Sequence, residues 1–397
     1  MKTIRDGFRA TGFVLAWIMV GANVPSPLYA VYAARWHFGT EVITEIFAAY
    51  VVFLIPALLV GGQWSDYRGR KPTIAAGLGL AILGALVFLG AQDAIWLFVA
   101  RAAQGAGAGL LSGAATVYLA ELDGARGRAP LVASLATGGG TALGPLLGGI
   151  MAQYGPWPLR LVYVIVLVGL MGGGLAIWRA PETRPRGTGL FHWTRPTIPA
   201  VQQSVFRIAG GTAFTVWSVT GLFMSLVPSY VTALLHVSNL AVAGGVVFIM
   251  LACASITQLM TRGFAPIVAM PLGLSLILIA VGGLLLAVPT QALWMIVVST
   301  VIAGIGQGTA FLGSMATITR TIPPAAKGQV MSSFYVVIYC GVGAPILGIG
   351  FAAQHVGLYR AILYYALFIG IVGLGVMGGL WARRRRFSIA LEAGRPS

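Results

Sequence analysis

Twelve long apolar stretches, separated by short polar or charged breaks, constrain this chain more than any other feature. A helix needs about 20 mostly apolar residues to cross a bilayer, and each stretch is about that long. Read with their turn and charge signals, the stretches predict an all-α membrane protein with twelve transmembrane helices. The predicted helices are about 9–34, 42–64, 73–91, 94–119, 129–153, 158–179, 205–235, 239–261, 265–288, 291–319, 328–353 and 358–382.

Composition excludes the main soluble classes. Hydrophobic residues make up 58% of the chain and charged residues only 9%, whereas soluble domains carry roughly 25% charged residues. With a mean hydropathy of +0.89, this excludes a water-soluble enzyme, a nucleic-acid-binding protein and a disordered chain. The two cysteines, Cys253 and Cys340, lie inside apolar stretches, and no Cys/His cluster has metal-ligand spacing. We therefore predict neither a disulfide framework nor a metal site.

The basic residues behind the net charge of +16 are clustered between the apolar stretches. If both termini are cytoplasmic, 21 cations face the cytoplasm, and only Arg35, Arg160 and Arg360 face the other side. This asymmetry is a positive-inside pattern. A cleaved signal peptide is the alternative for the N-terminus, but the charge pattern requires the first helix to stay. We expect an integral protein of a bacterial inner (plasma) membrane with both termini in the cytoplasm.

A polar, proline-rich interruption divides the chain near its middle. An internal repeat supports this division, because Gly144-Pro145-Leu146-Leu147-Gly148 recurs as Ala344-Pro345-Ile346-Leu347-Gly348, 200 residues later. Two like-oriented halves are the plan of one class of membrane transporter, with the substrate site between the halves near the midplane. The predicted parts are an N-terminal six-helix half (1–180), a cytoplasmic linker (181–204), a C-terminal six-helix half (205–383) and a cytoplasmic tail (384–397).

The most specific motif lies between the second and third predicted helices and reads Gly62-Gln63-Trp64-Ser65-Asp66-Tyr67-Arg68-Gly69-Arg70-Lys71. It resembles the signature loop of the major facilitator superfamily, which has Gly, Asp, Gly, Arg and Arg or Lys at this spacing. Trp64, Ser65 and Tyr67 depart from the family's usual residues. The resemblance extends over essentially the whole chain and implies a twelve-helix fold that works by alternating access.

Within this loop, Gly69 permits a tight reversal, and Asp66 can pair with cations or cap a helix N-terminus across the interface between the two halves. The resemblance implies that the contact holds the cytoplasmic side closed when the protein faces outward. An ordinary positive-inside loop, in which Arg70 and Lys71 only set the topology, is the alternative. The predicted gating residues are Gly62, Asp66, Gly69, Arg70, Lys71, Glu121 and Arg128.

A second motif, Arg101-Ala102-Ala103-Gln104-Gly105-Ala106-Gly107, lies in the fourth predicted helix. It resembles a pattern found in proton-coupled members of the family. Arg101 lies about 10 Å into the membrane, where an arginine costs on the order of 3 kcal/mol and should face a cavity or a partner. The alternative is an arginine that snorkels to the interface. We predict that Arg101 and Gln104 act in proton coupling, with Glu45 as the nearest acid by level; an exposed helix N-terminal position is the other interpretation of Glu45.

A third motif, in the fifth predicted helix, is Gly140 followed by Gly144-Pro145 and Gly148-Gly149. It resembles a pattern that marks antiport exporters of the superfamily. Pro145 bends the helix, and the glycines offer a smooth face on which a neighbouring helix can slide. Packing of small residues alone is the alternative explanation.

Polar and aromatic residues inside the other helices are candidates for the substrate pocket. Prolines in the first helix free backbone groups, which are tolerated where they line a cavity. Hydrogen bonding between helices is the alternative role for these side chains. The pocket candidates are Asn23, Tyr29, Trp217, Thr220, Gln307, Tyr335 and Tyr339.

Taken together, these features predict a secondary transporter, resembling the twelve-helix drug:proton antiporters, that exports a small organic compound in exchange for protons. A facilitator or a proton symporter for a metabolite is the alternative within transport. An intramembrane enzyme finds no support, because no intramembrane Asp pair, His-Glu metal helix or Gly-x-Ser-x-Gly signature is present. We expect no cofactor and no nucleic-acid partner. The expected partners are the substrate, protons and the bilayer, and the expected state is a monomer.

Overall fold

The computed structural model describes residues 2–184, 203–228, 239–287, 292–322 and 327–382, together with positions 198, 231, 289 and 290. Thirteen α-helices account for almost all of these described residues. They are α1 (Lys2–Asn23), α2 (Tyr29–Trp36), α3 (Thr40–Arg68), α4 (Arg70–Leu89), α5 (Ala94–Asp123), α6 (Ala129–Tyr154), α7 (Leu161–Trp178), α8 (Gln203–Ser225), α9 (Leu240–Met260), α10 (Pro266–Leu286), α11 (Leu293–Thr321), α12 (Lys327–Val356) and α13 (Leu358–Ala382).

The described residues form twelve helical segments that are long and apolar enough to cross a membrane. The first segment, Ile4–Trp36, contains α1, a 3₁₀ turn at Ser26–Leu28 and α2. The predicted all-α fold with twelve transmembrane helices is therefore confirmed. Predicted ends differ by a few residues, as where the predicted helix 42–64 extends over Thr40–Arg68. Part of the predicted helix 205–235 and the whole predicted tail 384–397 lie outside the described residues.

The chain divides into two compact units. One unit is Met1–Trp193 with Ser238–Phe248, and the other is Thr194–Val237 with Ile249–Ser397. The helix α9 thus begins in the first unit and continues in the second. Most of the predicted linker falls among residues that the structure does not describe, so the four-part division remains a prediction.

Glycines control the packing of the first unit, in which α5 lies against both α3 and α4. A Cβ atom at Gly105 would overlap the carbonyl oxygen of Tyr50, and one at Gly109 would lie 2.5 Å from that of Leu54. These two glycines are four residues apart, which is the spacing that lets two membrane helices approach closely. The contact between α3 and α5 therefore uses backbone atoms rather than large side chains.

The second unit repeats this contact between α9 and α11. Cβ atoms at Gly304 and Gly308 would overlap the carbonyl oxygens of Met250 and Ala254. The two glycines follow Gly105 and Gly109 by 199 residues, so the same packing relates Arg101 to Thr300. In the sequence, Gln104-Gly105 matches Gln307-Gly308, which lies 203 residues later. This offset differs from that of the packing repeat by about one helical turn.

Candidate functional site

The loop from Gly62 to Lys71 is a tight joint between two helices. The helix α3 ends at Arg68, Gly69 takes a φ of 104°, and α4 begins at Arg70. A positive φ is a conformation that glycine adopts without a Cβ penalty, which accounts for glycine at this joint. The NH group of Gly69 donates to the Ser65 carbonyl oxygen at 3.1 Å and so closes the end of α3.

Arg70 is the centre of this joint. Its residue is only 4% exposed, and its Nη1 lies 2.9 Å from Asp66 Oδ1 and 2.9 Å from Ser65 Oγ. Its Nη2 and Nε donate to Glu121 Oε1 on α5, at 2.9 and 3.1 Å. A planar guanidinium suits such forked contacts. The structure thus brings together Asp66, Arg70 and Glu121, three of the predicted gating residues.

Glu182, which follows α7, completes the joint and was not predicted. Its two carboxylate oxygens each accept a hydrogen bond at 3.0 Å, one from the backbone NH of Arg70 and one from that of Lys71. These NH groups have no partner within α4, because they belong to its first turn. A carboxylate there also interacts favourably with the helix dipole.

Three further contacts bind the segment after α7 to the same joint. Arg184 Nη1 lies 3.4 Å from Asp66 Oδ1, and Arg184 Nε donates to the Asp66 carbonyl oxygen at 3.0 Å. Lys71 Nζ donates to the Ala180 carbonyl oxygen at 2.6 Å. We call Asp66, Arg70, Glu121, Glu182 and Arg184 the loop cluster. The sequence contained a signal for the role of Glu182. It is the only acid in the predicted linker, and the first turn of α4 contains two cations and no acid.

Two predicted gating residues do not join the loop cluster in the described part of the chain. Arg128 Nε lies 3.0 Å from Oδ1 of the buried Asp123, and its guanidinium lies over the Phe8 ring at 5.1 Å. Asp123 also accepts from the backbone NH of Ala129 at 2.9 Å, so this pair caps the start of α6. At Gly62, a Cβ atom would meet nothing within 4 Å.

Arg101 is buried inside the first unit and is 2% exposed. Its Nη1 donates to the Ala22 carbonyl oxygen at 2.7 Å and to Gln104 Oε1 at 3.2 Å. The guanidinium carbon lies 4.2 Å from the Tyr50 ring centre and 5.5 Å from that of Phe47. This position differs from that of an arginine that snorkels to an exposed surface.

The partners of Arg101 and Gln104 lie where the first transmembrane segment is broken. Pro25 has no NH group, so it cannot donate to the Gly21 carbonyl oxygen four residues earlier. Gln104 Nε2 donates to that oxygen instead, at 3.0 Å. Burying a carbonyl oxygen without a partner is costly. Arg101 and Gln104 therefore supply bonds to the backbone at the break between α1 and α2.

The structure does not bring Glu45 to Arg101. Glu45 is exposed on α3, whereas Phe47 and Tyr50 of the same helix cover the guanidinium. No ion pair joins Glu45 to Arg101 among the residues that the structure describes. Glu45 and Tyr50 are five residues apart, and side chains at this spacing point about 140° away from each other on a helix. The depth of Glu45 in the membrane therefore did not determine which way its side chain points.

The glycine motif of α6 packs on α1. Cβ atoms at Gly140 and Gly148 would overlap the carbonyl oxygens of Ala16 and Val24, and one at Gly144 would lie 2.7 Å from that of Val20. These three glycines form one stripe along α6. Gly149 faces the start of α9, where its Cβ atom would lie 2.5 Å from the Leu240 carbonyl oxygen. Pro145 contributes to the same contact, because its carbonyl oxygen lies against Gly244.

The pocket candidates divide between the two units. Asn23 Nδ2 donates to the Met19 carbonyl oxygen at 2.7 Å, and Thr220 Oγ1 donates to that of Val216 at 2.9 Å, so both bond within their own helices. The Tyr29 hydroxyl, Trp217 Nε1 and Gln307 Oε1 are buried and have no hydrogen-bond partner among the described residues. Tyr335 and Tyr339 are half-buried on α12.

No group of three His, Cys, Asp or Glu side chains in the described part of the chain could hold a metal ion. The fold and these buried polar groups define a polytopic α-helical membrane protein. A profile of the Major Facilitator Superfamily matches residues 11–345. The chain belongs to the Major Facilitator Superfamily, a family of membrane transporters.

Comparisons with individual proteins agree with this assignment. The chain is 36% identical over 133 residues to the puromycin resistance protein pur8 of Streptomyces alboniger. This match covers 32% of this chain and 26% of that protein. It is 30% identical over 143 residues to the multidrug resistance protein MdtL of Citrobacter koseri, and this match covers 35% of this chain and 36% of that protein. The match therefore spans only about a quarter to a third of these relatives.

A solved structure of a bacterial homologue of the human lysosomal transporter Spinster is similar along the whole chain. Its TM-score is 0.76, and the match covers 100% of this chain and 99% of that chain at 15% identity. At this identity the similarity is evidence of the fold alone. The family and the fold neighbours are transporters rather than enzymes.

Proposed function

We propose that this protein is a secondary transporter that works by alternating access and exports a small organic compound in exchange for protons. Membership of the superfamily and the partial similarity to two resistance proteins support export. The observation that carries proton coupling is the buried Arg101, which is bonded to the break in the first transmembrane segment. Buried intramembrane charges are expensive and mark transport pathways by default.

Arg101 has a physical means of affecting protonation. It forms no ion pair with a carboxylate in the described residues, so its charge is balanced only by carbonyl oxygens and aromatic rings. A fixed positive charge disfavours protonation of acids around it. Glu45 is the proposed proton-binding residue because it is the acid nearest to Arg101 by level; in this conformation it is exposed and forms no ion pair with Arg101 in the described part of the chain. Movement of α3 or of the helix break would then change the field that Glu45 experiences.

The loop cluster is the proposed gate. It ties the end of α3, the start of α4, the end of α5 and the segment after α7 into one rigid joint. Release of Asp66 from this joint would free a carboxylate for another partner during the transport cycle. We also propose an inner-membrane location, cytoplasmic termini, a monomeric state and two six-helix halves at 1–180 and 205–383.

The test is transport by the purified protein in liposomes, with a pH gradient as the only energy source. Puromycin and a panel of fluorescent organic compounds serve as substrates, and the liposomes contain no nucleotide. We expect the compound to accumulate on the acidic side well beyond its level in protein-free liposomes, which measure passive trapping of weak bases, and the accumulation to collapse when an ionophore dissipates the gradient. Accumulation on the alkaline side indicates symport, and movement that ignores the gradient indicates a facilitator; either result refutes proton-coupled export.

A further inference from the structure

We infer that the C-terminal unit contains a subsite for an N–H group of the transported compound, built by Gln307 and Trp217. The compound class is an organic molecule in which an amine or amide nitrogen adjoins an apolar body and an oxygen acceptor. The inference rests on the proposed transport function and adds the chemistry that its substrate must present.

Gln307 lies at mid-depth in α11. It is the middle residue of the helix Leu293–Thr321 and is 2% exposed. Its Oε1 accepts no hydrogen bond from any residue that the structure describes. Buried polar atoms are almost always paired, so an orphan acceptor at this depth indicates a partner that is not part of the folded chain.

The comparison with Gln104 shows why the protein leaves this acceptor open. Gln104 Oε1 accepts from Arg101, three residues earlier on the same helix. The residue three positions before Gln307 is Gly304, which has no side chain. A side chain cannot be added there without a shift, because the Gly304 Cβ atom would overlap the Met250 carbonyl oxygen. The close packing of α9 on α11 therefore excludes an internal donor at this position.

An aromatic pair begins on the same face of α11, one turn from the open acceptor. Phe311 lies one turn after Gln307, and its ring meets that of Trp217 on α8 edge to face, with 5.5 Å between ring centres. Trp217, Phe311 and Tyr335 are all half-buried and pack against one buried cluster that contains Phe206 and Phe334. Aromatic faces accept apolar groups and cations, so the pair can hold the body of an organic compound.

Trp217 adds an orphan of the opposite polarity. Its Nε1 donor is buried and has no acceptor within the described ranges. An indole N–H can only donate, whereas Gln307 Oε1 can only accept. The two atoms together select a molecule with both a hydrogen-bond donor and an oxygen acceptor, which a purely hydrophobic compound does not offer.

Binding to the purified full-length protein in detergent tests the inference with a pair of fluorescent probes. The first probe, dansylcadaverine methylated at its sulfonamide nitrogen and called dansylcadaverine below, carries N–H donors only on its primary ammonium group, and its N-trimethyl analogue carries the same charge without them. We expect Gln307→Leu to weaken binding of dansylcadaverine about fivefold to tenfold and to leave the trimethyl analogue unchanged. Gln307→Glu should tighten binding of the primary amine, because charge-assisted hydrogen bonds are stronger.

A matched control variant and a second test variant accompany Gln307→Leu. Gln258→Leu makes the same chemical change on α9 and should leave both probes at wild-type affinity. Trp217→Phe keeps an aromatic ring but removes the donor, so it should weaken dansylcadaverine, whose sulfonyl oxygens accept. The unfolding temperature of each variant shows whether its fold is intact.

Three outcomes overturn the inference: wild-type affinity of Gln307→Leu for the amine, equal loss for both probes, or no saturable binding of the amine to the wild-type protein. The first outcome means that a water molecule alone satisfies Gln307. Binding in detergent needs no gradient, so transport that ignores pH would refute the proposed antiport and leave the subsite intact. Conversely, pH-driven export with insensitive probe binding would refute only the subsite.

Discussion

The helix break at Pro25 predicts an energetic coupling between two residues that are distant in sequence. Gln104 is needed where Pro25 removes the NH group that would otherwise bond to the Gly21 carbonyl oxygen. The backbone at Pro25 has a φ of −67° and a ψ of −17°, which is a helical conformation. An alanine there would present its NH group toward Gly21, so Pro25→Ala should make the bond from Gln104 partly redundant.

The magnitude follows from the contacts. Gln104→Leu leaves the Gly21 carbonyl oxygen buried without a partner, which costs about 1–3 kcal/mol, and it removes one acceptor from Arg101. In the Pro25→Ala background the first cost disappears, because the new NH group satisfies the oxygen. We therefore expect a coupling free energy of about 1–2 kcal/mol between the two sites.

Thermal unfolding of the four proteins of this cycle in detergent measures the coupling. A loss of 1 kcal/mol lowers the unfolding temperature by about 2–4 °C for a cooperative unit of roughly 200 residues. Gln104→Leu should thus lower it by several degrees in the wild-type background and by clearly less in the Pro25→Ala background. Equal effects in both backgrounds would show that Gln104 does not compensate for the proline.

Three further predictions concern transport. Arg101→Ala should abolish pH-driven export and substrate-induced proton release while sparing substrate binding. Arg101→Lys should restore these activities only partly, because lysine lacks the planar guanidinium fork. Unchanged proton release in Arg101→Ala would leave Arg101 a structural role. Gly148→Leu should block transport because its side chain meets the Val24 carbonyl oxygen, whereas Gly139→Leu, where a Cβ meets nothing within 4 Å, should transport normally; equal activity of the two variants contradicts the close-contact argument. Asp66→Asn should impair turnover with normal membrane insertion, since its 54% exposed side chain adds little stability; wild-type turnover would exclude a gating role.

The helices were predictable from sequence because a bilayer imposes length and hydropathy on each of them. The joint at Gly69 was predictable for a similar reason, since a motif with fixed spacing carries its own turn. The backbone partners of Gln104 and Arg101 were not predictable. They are carbonyl oxygens of Gly21 and Ala22, which any residue type would supply, so no side-chain pattern marks them.

Two other features show where sequence reasoning ends. Glu45 lies at the expected level, but the direction of a side chain on a helix depends on packing that depth does not determine. Similarly, the match of Gln104 with Gln307 is a true similarity of sequence, yet the packing of Gly105 and Gly304 displaces it by one turn. Backbone contacts set the register in which helices pack inside each unit. Glycine is the only trace that such contacts leave in a sequence.

The stripe of glycines on α6 has a consequence for how this protein can evolve. Gly140 and Gly144 lie against carbonyl oxygens of α1, and Gly148 lies against that of Val24 directly after it; a carbonyl oxygen is the same for every residue type that keeps this backbone. Mutations that alter side chains elsewhere around α1 therefore leave this contact unchanged. The glycines of α6 must stay glycine, whereas residue types on α1 can change. New specificities can therefore accumulate on α1 without loss of the packing contact with α6.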